Sequence, residues 1–166
     1  MILRLLVTAH CDRTCKGCCN KGFNLPALPV CEDYSPFSMV ILTGGEPMLY
    51  PQRLRDLIRD VRAATQAPII LYTAYAHNPF LLRDMLKLVD GMTLTLHTRK
   101  DVFAFLVFNE LCKDVQGKSL RLNVFRGIPL PEGDYSKWLI KKDIQWIKDC
   151  PLPKDEIFMR AKQTGE

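Results

Sequence analysis

The sequence predicts an α/β protein with parallel strands, arranged as an open (βα)6 partial barrel in a single domain over residues 1–166. Three observations point there. Apolar, β-branched segments alternate with amphipathic ones, which is the pattern of repeated βα units. A chain of 166 residues has the length of one domain around one core. A closed eight-stranded barrel needs about 250 residues, so six βα units on this length leave the barrel open.

The strands are expected at 2–9, 38–43, 68–74, 91–97, 119–125 and 156–161. Pro51 suits the first turn of a helix whose Leu54, Leu57, Ile58 and Val61 recur at helical spacing. Asn78-Pro79 opens a second helix through Leu82, Met85, Leu86 and Val89. Thr98 with Asp101 can cap a third, through Val102, Phe105, Leu106 and Cys112. Asp134 opens a fourth, carrying Leu139, Ile140, Ile144 and Ile147. Between the first two strands, Pro26, Pro29 and Pro36 exclude a regular crossover helix, so Lys21 to Phe37 reads as a long ordered loop.

Hydrophobic residues make up 48% and charged residues 25%, the proportions of an ordinary globular protein. No apolar run reaches the roughly 18 residues needed to span a bilayer, and the apolar stretch from Met1 to Val7 is too short for a signal peptide. A cytoplasmic protein is therefore expected. The net charge of +5 is not gathered into a lysine or arginine block, so there is no clear nucleic-acid signal.

Of seven cysteines, Cys11, Cys15, Cys18 and Cys19 cluster, whereas Cys31, Cys112 and Cys150 are scattered. Clustering argues for a metal site over a disulfide framework. The first strand runs directly into the C-x3-C-x2-C segment, where chemistry in barrel folds is found. Its spacing lets a short loop aim three thiolates at one cubane and leave the fourth iron open. Zinc is an alternative on the triplet alone, with His10 or Cys19 as a fourth ligand. Cys19 points away from Cys18 and is expected only to pack, as are Cys31, Cys112 and Cys150, the last two in or at the end of amphipathic helices. His10, His77 and His97 are lone histidines, more often structural than catalytic.

The second strand ends in Thr43-Gly44-Gly45-Glu46-Pro47. The glycines allow close backbone approach to a ligand, Glu46 offers a carboxylate to an ammonium group, and Pro47 stiffens the turn. Together, C-x3-C-x2-C after the first strand and Gly-Gly-Glu-Pro after the second resemble the radical S-adenosylmethionine (SAM) superfamily. The order of elements to residue 161 is also similar to that family's partial TIM barrel.

The resemblance implies a [4Fe–4S] cluster on Cys11, Cys15 and Cys18, with SAM chelating the open iron. Gly44, Gly45, Glu46 and Pro47 would hold its amino group. It implies further SAM contacts at Thr98, at Asn123 and at Arg160 or Lys162. The implied reaction is reductive cleavage of SAM to a deoxyadenosyl radical that takes hydrogen from a small-molecule, nucleotide-like or peptide substrate. The electron would come from an external donor of flavodoxin or ferredoxin type. Cys15-Lys16-Gly17-Cys18-Cys19-Asn20 is similar to the activating enzymes of anaerobic ribonucleotide reductases, which implies a glycyl radical enzyme as an alternative partner. Gly17 stands where many members carry an aromatic residue, and the Gly-Pro-Gly segment of such activases is missing. A non-catalytic zinc or iron–sulfur module is the remaining alternative.

Overall fold

The computed structural model describes residues 1–147 and 150–162. Seven strands and three α-helices follow one another among them. The order is β1 (Ile2–Thr8), β2 (Met39–Gly44), α1 (Pro51–Ala64), β3 (Ile69–Thr73), α2 (Pro79–Leu88), β4 (Gly91–Leu96), α3 (Arg99–Leu111), β5 (Ser119–Phe125), β6 (Trp138–Ile144) and β7 (Glu156–Arg160). The chain divides into two compact units, Met1–Ile69 with Trp146–Glu166, and Ile70–Gln145.

In the first unit β1 lies between β2 and β7 and pairs parallel with both. Leu3, Leu5 and Val7 on one face of β1 are buried, together with Val40 and Leu42 of β2. Helix α1 packs against β1 and buries Leu54, Leu57, Ile58 and Val61, the positions that helical spacing selects. Pro51 occupies its first turn, where no N–H is needed.

The second unit is a parallel ribbon in the order β3, β4, β5, β6. The expected cap at Thr98 is present, and Asn78 caps α2 as well. The Asn78 side chain accepts from Leu81 N at 3.0 Å, and Thr98 and Asp101 form a reciprocal capping box at the start of α3. Asp101 is buried, but its carboxylate accepts from the N–H groups of His97 and Thr98, at 2.9 and 2.8 Å. Those bonds offset the cost of burying it.

The expected fourth helix is a strand. Asp134 accepts from Ser136 N at 3.0 Å, which closes a local turn instead of opening a helix. The chain then enters β6 and pairs with β5 through Leu120↔Trp138 and Leu122↔Ile140. Trp138 is the buried residue, set edge-on to Phe105 and Phe108, with its Nε1–H on Asn109 Oδ1 at 2.8 Å. Leu139, assigned to the apolar face of a helix, is 68% exposed. A short segment with apolar residues on both sides is ambiguous in period, and burial of the indole decides it.

The loop from Lys21 to Phe37 holds no α-helix. It carries the end of one 3-10 turn (Cys19–Gly22), a second (Leu25–Ala27), and a β-bridge from Val30 to Arg160. Cys31 N donates to Arg160 O at 2.9 Å, so the loop is fastened to the end of β7.

The strand reading of 138–144 has a direct test. Trp138→Ala should cost about 3–5 kcal/mol for loss of a buried aromatic, and Leu139→Lys should stay within about 0.5 kcal/mol. Urea midpoints of the two variants check this, and a costly Leu139→Lys would restore the helix.

Candidate functional site

The first unit brings the two motifs together through main-chain bonds. As β1 ends, Thr8 O accepts from Gly45 N at 2.7 Å, and His10 O accepts from Glu46 N at 2.8 Å. The segment after β2 thus clasps the residues that lead into the cysteines. Both glycines are needed for this. Gly44 has φ +142°, and a Cβ there would meet Thr8 O. A Cβ on Gly45 would run into the His10 carbonyl. From the far side of the loop, Asn20 Nδ2 donates to Gly44 O at 2.6 Å. The close approach expected for a ligand is made to the protein's own backbone.

Glu46 is 2% exposed. Its carboxylate accepts from Met48 N at 3.0 Å and so caps the 3-10 turn Pro47–Leu49. It also acts on the thiols, because its negative charge raises the pKa of Cys11.

Cys11, Cys15 and Cys18 are free thiols, each partly exposed on the loop after β1. Desolvation is the main cause that raises the pKa of Cys11, with the charges of Glu46, Asp12 and Cys18 adding to it against a backbone bond at Arg13. Desolvation likewise raises that of Cys15, followed by the charges of Cys18 and Cys11. The three thiols therefore lie in one another's field, and Cys11 and Cys15 stay largely protonated at neutral pH. Metal binding here would release protons. Three free thiols on one short loop are a donor set that suits an iron–sulfur cluster. Among the described residues, no three His, Cys, Asp or Glu side chains converge as a metal-holding group.

Cys19 and Cys150 overturn the expectation that they only pack. They form a disulfide, with Cα atoms 5.2 Å apart, and Cys150 lies outside any helix. The bond anchors the cysteine loop, one residue past Cys18, to the segment that leads into β7. Adjacency to Cys18 and isolation of Cys150 hid this pairing, since spacing alone carries no signal for a partner 131 residues away. Cys31 and Cys112 are buried and free, as expected, and burial pushes the Cys112 thiol up to about 11.

Trp146 packs on Gly17: a Cβ at that position would collide with the indole. The space that an aromatic at position 17 would need is thus filled from elsewhere in the same unit. A hollow of about 410 Å³ opens beside these residues, lined by Lys16, Gly17, Cys18 and Trp146 among others.

Thr98 and Asn123 belong to the second unit. Thr98 is the cap of α3, and its Oγ1 accepts from Asp101 N at 3.3 Å. Asn123 is half-buried on β5, opposite Thr95 on one side and Lys141 on the other. Arg160 ends β7 with its Nε donating to Leu28 O at 3.1 Å, and Lys162 pairs with Glu32 at 3.3 Å. No helix among the described residues is long and apolar enough to cross a membrane.

Peptide mapping without reductant should find Cys19 linked to Cys150 and the other five cysteines free. Reduction should then lower stability by about 2–4 kcal/mol, because a long loop is no longer closed in the unfolded chain. A link through Cys11, Cys15 or Cys18 would contradict the arrangement.

No family model matches the chain, and neither a curated protein nor a solved structure matches it significantly.

Proposed function

We propose that the chain is a radical SAM enzyme on an open partial barrel, with both cofactor motifs in its first unit. The observation that supports this most is the joining of the two motifs: three free thiols leave β1 where the Gly44-Gly45-Glu46 segment clasps its end. In this reading Cys11, Cys15 and Cys18 hold a [4Fe–4S] cluster, and Cys31 and Cys112 stay in the core. When bound, the cluster supplies one electron for cleavage of the SAM sulfonium. The electron itself comes from an external flavodoxin- or ferredoxin-type donor.

The residues contribute binding and orientation. An ammonium group needs acceptors, and the segment after β2 offers main-chain carbonyls beside a buried carboxylate. Glu46, already fixed by Met48 N, keeps a negative charge near Cys11 without having to be ordered on binding. The enzyme is proposed as cytoplasmic. The hydrogen donor is a small molecule, a nucleotide-like compound or a peptide.

A second reading is favoured by the Cys19–Cys150 bond: a cysteine loop that serves structure, stapled by its disulfide and by Asn20. Anaerobic reconstitution with iron and sulfide separates the two. The enzyme reading expects a brown protein that releases deoxyadenosine and methionine from SAM with dithionite, and a Cys15→Ala variant that does neither. A loaded, reducible protein with no deoxyadenosine above that blank would leave the structural reading standing.

Glu46→Gln keeps an acceptor for Met48 and removes the charge. Loss of a charge-assisted hydrogen bond, about 1.5–3 kcal/mol, should weaken SAM binding roughly ten- to a hundredfold while cluster content is unchanged. Calorimetry and iron content measure both, and unaltered affinity would remove Glu46 from the site.

A further inference from the structure

A separate cleft of about 550 Å³ opens in the first unit at the carboxyl ends of β1 and β7. It is lined by neither the three free loop thiols nor Glu46. The volume suits a small-molecule ligand. Apolar surface comes from Leu6 and from the Leu25-Pro26 turn, and polar groups come from three different stretches of chain. His10 follows β1, Tyr50 and Arg53 stand at the start of α1, and Arg160 ends β7.

The charge in the cleft is of one sign. Arg53 and Arg160 both line it, and no aspartate or glutamate does. Glu156 stands at the start of β7, away from the cleft, and holds Arg4 at 2.6 Å, while Glu32 holds Lys162 at 3.3 Å. Among the described residues, no carboxylate pairs with either Arg53 or Arg160.

Both arginines are half-buried residues, and Arg160 is also oriented. Its Nε–H bonds Leu28 O, while its backbone accepts from Cys31 N and donates to Pro29 O. One edge of the guanidinium is thus fixed by the protein, and the remaining donors are left for a ligand. Across the cleft, Tyr50 Oη and His10 Nδ1 share a hydrogen bond at 2.8 Å, and Thr8 Oγ1 accepts from His10 N at 3.1 Å. This mutual bonding sets the imidazole and the phenol in place before any ligand arrives.

We propose that this cleft binds the oxyanion group, phosphate or carboxylate, of a small molecule, with Arg53 and Arg160 as its charge partners. Two cations from separate elements, with no acid among the lining residues, match an anion of concentrated charge. Guanidinium forks suit phosphate and carboxylate oxygens alike. Two arginines in a half-open cleft, in place of a basic stripe along the surface, fit a compact ligand better than a polyanion. The proposal does not rest on the radical SAM reading: no residue that would hold a cluster takes part, and Arg160, which the resemblance also offers as a SAM contact, is used here only for its charge and position.

The test uses the 166-residue chain, metal-free and isotope-labelled, followed by NMR at fixed ionic strength with chloride as the reference anion. Inorganic phosphate and acetate are titrated separately. Saturable shifts at the amides of Thr8, Ala9, His10 and Ala161 and at the Nε–H of Arg53 and Arg160 are expected. Stronger binding of phosphate assigns a phosphate-bearing ligand, and stronger binding of acetate a carboxylate. Arg53→Gln and Arg160→Gln should each weaken binding roughly tenfold. Arg160 also supports the loop through Leu28, so if Arg160→Gln does not fold, Arg53→Gln decides. Shifts that never saturate beyond those with chloride, or equal affinity in folded Arg53→Gln protein, would overturn the proposal.

Discussion

Two main-chain hydrogen bonds hold the candidate site together, Gly45 N to Thr8 O and Glu46 N to His10 O. They exist because Gly44 and Gly45 carry no Cβ, so one backbone can lie directly on another. The consequences spread outward. With the end of β1 clasped, the cysteine loop has a fixed origin. Asn20 then returns the loop to Gly44 O, and the disulfide at Cys19 ties it to the strand on the other side of β1. Glu46 is buried beside this approach, and the bond that Met48 N–H donates to its carboxylate offsets part of the cost.

This arrangement changes what the Gly-Gly-Glu segment means. A ligand-binding role and a structural role both require glycine, and sequence has no way to distinguish a ligand from the protein's own His10 carbonyl as the close neighbour. The N–H groups of Gly45 and Glu46 are committed to that backbone, so any binding by this segment must use its acceptors. An ammonium asks for acceptors alone, which keeps the two roles compatible.

Much of the fold was legible because it depends on local rules. Pro51, Asn78-Pro79 and the Thr98–Asp101 pair mark helix starts through backbone chemistry within a turn, and each helix begins where its signal stands. The prolines of the loop after β1 act just as locally. The failures are long-range. Residues 138–144 take their conformation from β5 and from the Phe105 and Phe108 rings that receive Trp138, and none of these is near in sequence. Cys19 finds Cys150 only once β7 has been laid beside β1. The cleft that holds Arg53 and Arg160 is assembled from β1, α1 and β7, so no linear motif announces it.

The cysteines show one loop used in two chemical ways. Cys11, Cys15 and Cys18 remain thiols, and desolvation keeps Cys11 and Cys15 protonated, which slows thiolate attack on a neighbouring disulfide. Cys19, directly next to Cys18, is spent in a bond to Cys150. Protonation therefore protects the division: thiols held above the usual range are poor nucleophiles toward the Cys19–Cys150 bond. A metal would reverse that balance by drawing the protons off the same sulfurs. In that state the thiolates would be occupied by the metal and still unavailable to attack the disulfide. Either way, Cys11 and Cys15 are held back from attacking the bond that anchors the loop.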